Sequence, residues 1–319
     1  MQKRLTKFIR QPDAVSGRRL TARSLAIIAV ISRYRLLPTS LLVRLIDGNE
    51  DVTHRHLQQL YHKGLINRFA FPKLGSAGEF HYYLDNPAAL ELLAAHAVAS
   101  ETELDWEGVA RNHDKAYHEI NDPQKSEEAS GRILFLKHEA MISRFHFLLE
   151  MAAAKSRPTV DLALWRQGPA LNSSVTDQGT GEIMPHRPDA FFTLRFCSEP
   201  EGRNRASFFY EADRKTTNVP KMMLKFRAHA EFIRQGRGLE RYGLKRIRAV
   251  LVETVDTAWA EALRGAASEI CPAPLFWFTA SPVLAPCLSR ASQQQSLPSA
   301  ILQKLWVSNA GDALLSLMD

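Results

Sequence analysis

The apolar residues of this chain change their period along its length, and that change limits the folds open to it. Over residues 21–64 they recur at helical spacing. Over 65–84 they fall into two short strand-like runs, and from Gly131 onward helical and strand patterns alternate. A chain of 319 residues patterned in this way has enough material for two units, each with its own core.

In the first segment Thr21 is suited to cap a helix to about Arg33, with Leu25, Ile28, Ala29 and Ile31 as its stripe. Pro38-Thr39-Ser40 opens a second short helix over 41–46. Asp47-Gly48-Asn49 is a turn, and Asp51 or Thr53 can cap a third helix, which Gly64 ends. Strands over 65–71 and 79–84, joined by the glycine-rich basic tip 72–78, complete the element order of a winged helix-turn-helix. Residues 1–98 are therefore expected to bind DNA. On the third helix Arg55 suits guanine and Gln58 or Gln59 suits adenine, with Thr53 and His54 beside them. Lys73 on the hairpin tip, and Arg18, Arg19 and Arg23 in the preceding arm, suit phosphates.

Residues 99–130 are acidic, poor in periodic apolar positions and expected to be a linker. The remainder, 131–319, reads as αβββαβαβ, an α/β unit in a chain that is α+β as a whole. Within it Arg187-Pro188-Asp189 opens one strand and Phe208-Phe209-Tyr210-Glu211-Ala212-Asp213 ends the next. Strand alternation puts Glu211 and Asp213 on one face, and a hairpin can bring Asp189 beside them. Carboxylates converging at strand ends suit Mg²⁺ or Mn²⁺, hard ions that take oxygen ligands and neutralise charge on a reacting phosphate. Lys215, on the strand if it continues, and Lys221 or Lys225 on the following helix are the candidate lysines. Glu139, near the start of the first helix of this unit, is a further candidate ligand. Element order and acids together are those of a PD-(D/E)xK restriction-endonuclease-like domain.

These features, with Arg-Pro-Asp-Ala at 187–190, Glu-Ala-Asp-Arg-Lys-Thr at 211–216, Lys225, the 250–254 strand and Trp306, resemble the replication-relaxation family of mobile-element proteins. The layout is also similar to that of MobC-type plasmid mobilisation relaxases. The resemblance implies metal-dependent nicking at a plasmid transfer origin, double-stranded DNA as partner, and contacts with other relaxosome or replication proteins. Carried over by residue, Asp189, Glu211 and Asp213 match the family's acids and Lys225 its helical lysine. The chain departs at Lys215, where glycine is frequent in the family, and near His229, where an aromatic residue is frequent.

Composition agrees with a polyanionic partner. The net charge is +7, and residues 1–35 hold nine basic side chains against the single acid Asp13. No apolar run approaches the roughly 18 residues of a membrane span, and no signal-peptide pattern opens the sequence, so a cytoplasmic location without membrane insertion is expected. Cys197, Cys271 and Cys287 lack metal-site spacing. There is no phosphate-binding G-x-x-x-x-G-K-[ST] and no histidine cluster of the HUH nickase type. Two other functions compete with nicking. One is a catalytically inactive DNA-binding accessory protein of replication or transcription that uses the nuclease-like domain as a scaffold; the other is a role without DNA.

Overall fold

The computed structural model describes residues 9–71, 78–84, 87–96, 126–244, 246–288 and 300–318. The chain divides into two units, Met1–Arg144 and Phe145–Asp319. Helices and sheets are mixed throughout, and among the described residues no helix is long and apolar enough to cross a membrane. The expected linker falls largely on 99–125, outside the described residues.

In the first unit Thr21 caps α1 (Ala22–Tyr34) by accepting from the Ser24 amide, and Ile27, Ile28 and Ile31 are fully buried along one face. Arg35, at a φ of 66°, turns the chain into β1 (Leu37–Pro38) and α2 (Thr39–Leu45). α3 (Glu50–His62) follows the Gly48 turn. Its cap is Asn49, whose side chain accepts from the amides of Asp51 and Val52, so neither Asp51 nor Thr53 holds that position. Glycine suits position 48 because its φ is +95°, a conformation that L side chains rarely adopt. β2 (Ile66–Ala70) and β3 (Phe80–Leu84) pair antiparallel, and β1 adds to β3. α4 (Ala88–Ala95) comes next.

α5 (Ser126–Lys155) begins earlier than residue 131, and the boundary between the units falls within it rather than ahead of it. Its first half belongs to the first unit. Leu136 packs with Leu36, Phe69 and Tyr83, and the Ser143 hydroxyl donates to the Tyr34 carbonyl at 2.6 Å.

The second unit is built on a seven-stranded sheet in the order β12-β11-β10-β9-β8-β7-β4. Its strands are β4 (Val160–Gln167), β7 (Ala190–Phe196), β8 (Arg205–Ala212), β9 (Ala249–Thr254), β10 (Phe276–Ala280), β11 (Trp306–Ser308) and β12 (Leu314–Leu315). β4–β7–β8 run antiparallel, and β8–β9–β10 run parallel. The parallel pairs need crossovers, supplied by α6 (Val219–Arg234) between β8 and β9 and by α8 (Thr257–Ile270) between β9 and β10. The short α7 (Arg237–Tyr242) follows α6.

α6 and α8 share one face of the sheet, where Phe209, Phe226, Phe232, Val250, Leu263 and Phe276 form one core. Each fully buried side chain of this kind contributes at most about 1.5–3 kcal/mol. On the opposite face Phe145 of α5 stacks on Tyr210 at 3.9 Å, with Trp306 edge-on to it. A hairpin of β5 (Ser173–Thr176) and β6 (Ile183–His186), which the sequence pattern does not announce, forms its own two-stranded sheet and packs on α6. β4 is an outer strand of the large sheet, with a bulge between Leu162 and Leu164.

Candidate active site

The antiparallel register of β7 and β8 pairs Ala190 with Tyr210, which brings Asp189 alongside the end of β8. There Asp189 Oδ2 accepts from the Ala212 amide at 2.8 Å, so Asp189 is tied to the last residue of β8, between Glu211 and Asp213 in sequence. Alternation along β8 sends Tyr210 toward α5 and leaves Phe209 and Glu211 facing α6. Glu211 is only 1% exposed. Both of its oxygens are engaged from α6: Oε2 by the Lys225 ammonium at 2.8 Å and Oε1 by His229 Nε2 at 2.8 Å. Asp213, also buried, accepts on Oδ2 from Thr254 Oγ1 at 3.1 Å and from the Trp259 indole N–H, and on Oδ1 from the Lys215 amide at 3.2 Å.

Lys225 thus pairs with Glu211 and feels the charge of all three acids named by the sequence. Burial opposes its charge, but Glu211, Asp189 and Asp213 together outweigh burial and raise its pKa above the ordinary lysine range. An amine held protonated in this way stabilises negative charge; it does not act as a general base near neutrality. Lys215 takes a different course. The strand ends at Ala212, Lys215 sits at a φ of 58°, and its ammonium reaches Asp256 at 3.2 Å and lies 5.5 Å from the centre of the Trp259 ring. The left-handed turn breaks the alternation that carried Lys215 onto the acid face. Lys221 is exposed and its amide is used to cap α6 on Asn218.

The sequence reading missed the layer behind Glu211. His229 Nδ1 lies 3.0 Å from His186 Nε2, and His186 Nδ1 lies 3.2 Å from Ser173 Oγ. Burial above all, with the neighbouring His229 and Arg241 adding to it, lowers the His186 pKa to about 2, so this ring is neutral. One signal was available: Lys225 and His229 are four residues apart, hence on one face of a helix. The other was not, because β5 and β6 lie in a polar stretch that reads as loop.

The donor chemistry of the three carboxylates suits a hard divalent cation. Among the described residues no three His, Cys, Asp or Glu side chains are grouped to hold a metal ion. Asp189, Glu211 and Asp213, the expected Mg²⁺ or Mn²⁺ ligands, are here engaged by Lys225, His229, Thr254, Trp259 and the Ala212 amide. Glu139 is not among them: it is buried in the first unit and ion-paired with Arg35 at 3.0 Å.

The candidate DNA-reading residues separate by exposure. His54, Arg55 and Gln58 are exposed on α3, and Arg18 and Arg19 are exposed ahead of α1. Thr53 and Gln59 are buried, and the Gln59 amide donates to the Arg19 carbonyl at 3.2 Å, so neither presents its side chain to a base. Arg23 donates to the carbonyls of Asp47 at 2.8 Å and Asn49 at 3.4 Å and so clamps the turn that starts α3. Lys73 lies outside the described residues. His56, by contrast, points back to Ser24 Oγ at 3.0 Å and ties α3 to α1.

A family model described as replication-relaxation matches residues 28–246, a span that takes in the described helices of the first unit from Ile28 onward and Asp189, Glu211, Asp213 and Lys225. No curated protein and no solved structure matches the chain.

Proposed function

The chain belongs to the replication-relaxation family, and from that premise we propose that it is a DNA-nicking protein of plasmid mobilisation that binds duplex near a transfer origin. A role in plasmid replication or mobilisation follows from the family. The nicking centre rests on one observation: the ammonium of Lys225 pairs with Glu211 at 2.8 Å, close enough to Asp189 and Asp213 for their charges to raise its pKa as well. In this reading the helices and hairpin of the first unit act as a winged helix, with His54, Arg55 and Gln58 turned to the major groove. The second unit acts as a PD-(D/E)xK nuclease-like domain whose lysine has moved from the strand to α6.

Cleaving a phosphodiester builds negative charge on phosphate and leaving oxygens. Lys225 supplies a fixed, protonated donor for that charge. Asp189 and Asp213 are acceptors able to orient a nucleophile. One ammonium offsets one of three carboxylate charges, and a DNA phosphate adds another, so the centre is more negative with substrate than without. A divalent cation would relieve that excess, and Glu211 can bind one only by giving up Lys225 or His229.

The test is incubation of purified protein with supercoiled plasmid carrying its cognate origin, in Mg²⁺, Mn²⁺ or EDTA. Relaxed circles are expected from the wild type, with loss of at least tenfold in Asp189→Ala and Glu211→Ala. No circles in any metal, or unchanged cutting by Asp189→Ala, would remove the proposal. A second reading, a DNA-binding accessory protein with the nuclease-like unit as scaffold, is favoured by the engagement of both Glu211 oxygens. Its signature is tight origin binding, no cleavage, and a footprint unchanged by EDTA.

A further inference from the structure

We propose that Ser173, His186 and His229 form a hydrogen-bond relay that positions the Glu211 carboxylate, making both histidines positioning residues of the acid centre. The functional part of this inference rests on the nicking reading above. The relay spans four elements: Ser173 on β5, His186 on β6, His229 on α6 and Glu211 on β8. Its contacts are 3.2, 3.0 and 2.8 Å long.

The direction of the relay follows from its end. Glu211 is paired with an ammonium and accepts only, so His229 must donate from Nε2. A neutral His229 then accepts on Nδ1, which requires His186 to donate from Nε2 and to accept on Nδ1 from the Ser173 hydroxyl. A doubly protonated His229 would reverse the polarity of everything behind it. The rings are also held sterically. His186 stacks on Phe232 at 4.1 Å and meets Phe209 edge-on at 5.2 Å, while His229 tilts against Phe209 at 5.2 Å.

Two imidazoles, 1% and 2% exposed, are costly in such a place, where leucine or phenylalanine would fill the space without polar atoms to satisfy. What the imidazoles add is direction: a fixed N–H aimed at Oε1, so that Glu211 is held from one side by His229 and from the other by Lys225. A carboxylate confined at both oxygens keeps one orientation toward the reacting phosphate, as outer-layer partners do in enzyme sites generally.

The test uses the full-length protein labelled with ¹⁵N-histidine, whose ring shifts report which nitrogen carries the proton. His186→Phe keeps ring volume and the stack on Phe232 but removes both nitrogens; His186→Gln keeps an N–H directed at His229. Wild type and His186→Gln are expected to show His229 protonated on Nε2 alone. His186→Gln should nick within about threefold of wild type, while His186→Phe loses roughly 10–100-fold in kcat with KM for DNA unchanged. A His229 protonated on Nδ1, or on both nitrogens at neutral pH, overturns the relay, as does a His186→Phe protein with wild-type kcat. If His186→Phe does not fold, the wild-type and His186→Gln spectra decide. If the wild type does not nick, the nicking reading fails, and the His229 spectrum still judges the relay.

Discussion

Lys225 is the side chain on which the proposed chemistry turns, because burial is outweighed by Glu211, Asp189 and Asp213, which keep it protonated. Lys225→Ala is expected to lower kcat for nicking by about 10²–10³-fold, the usual effect of removing one donor to developing negative charge, with origin affinity changed far less. Gel-shift and nicking assays on the same preparation separate the two. Lys215→Ala, which removes a contact to Asp256 outside the acids, should cut nearly as well as wild type. On α3 the exposed and buried residues differ in the same checkable way. Arg55→Ala or Gln58→Ala should cost about 1–3 kcal/mol of binding to cognate DNA and little against random sequence. Gln59→Ala should instead lower the unfolding midpoint, since its amide holds the Arg19 carbonyl within the fold.

At the scale of elements, the acids were legible and their surroundings were not. Asp189 could be set beside the end of β8 and Glu211 toward α6 because strand period and hairpin pairing are local rules. Lys215 defeated the same rule through one left-handed residue, which periodicity does not register. The β5–β6 hairpin was invisible because its strands are four residues each and partly polar, and their burial comes from α6, distant in sequence. Glu139 was misplaced for a related reason. Its position on α5 is readable, but the partner it meets depends on which unit that half of the helix joins. Glu139→Ala leaves Arg35 buried without this partner and should destabilise the first unit by about 3–5 kcal/mol in denaturant titration. In the proposed nicking assay the response to Mg²⁺, Mn²⁺ and EDTA should match wild type; a shifted metal requirement would return Glu139 to the acid centre.

For the whole molecule, two histidines make stability depend on acidity. His186 has its pKa lowered to about 2 by burial and then by His229 and Arg241, and His56 is lowered by burial and then by Arg23 and Arg55. A histidine depressed in the folded state binds its proton more readily when unfolded. Its contribution is complete above the unfolded value near 6.5 and is lost as pH falls below it. Urea midpoints should therefore hold above pH 7 and decline below about 6.5, by at most about 1.4 kcal/mol per pH unit for each group. His186→Gln should flatten that decline. A midpoint independent of pH between 7 and 5 would show that neither ring resists protonation. At the flank of the large sheet, β4 offers eight residues of backbone to any strand that approaches, whereas the opposite flank, β12, offers two. Against that hazard the chain sets the kink at Leu162 and Leu164 and the charges of Asp161, which lies 2.7 Å from Arg195 and 3.6 Å from Arg157. Asp161 is thus a gatekeeper against sticking between molecules, and Asp161→Val should raise light scattering during concentrated storage before it alters any activity.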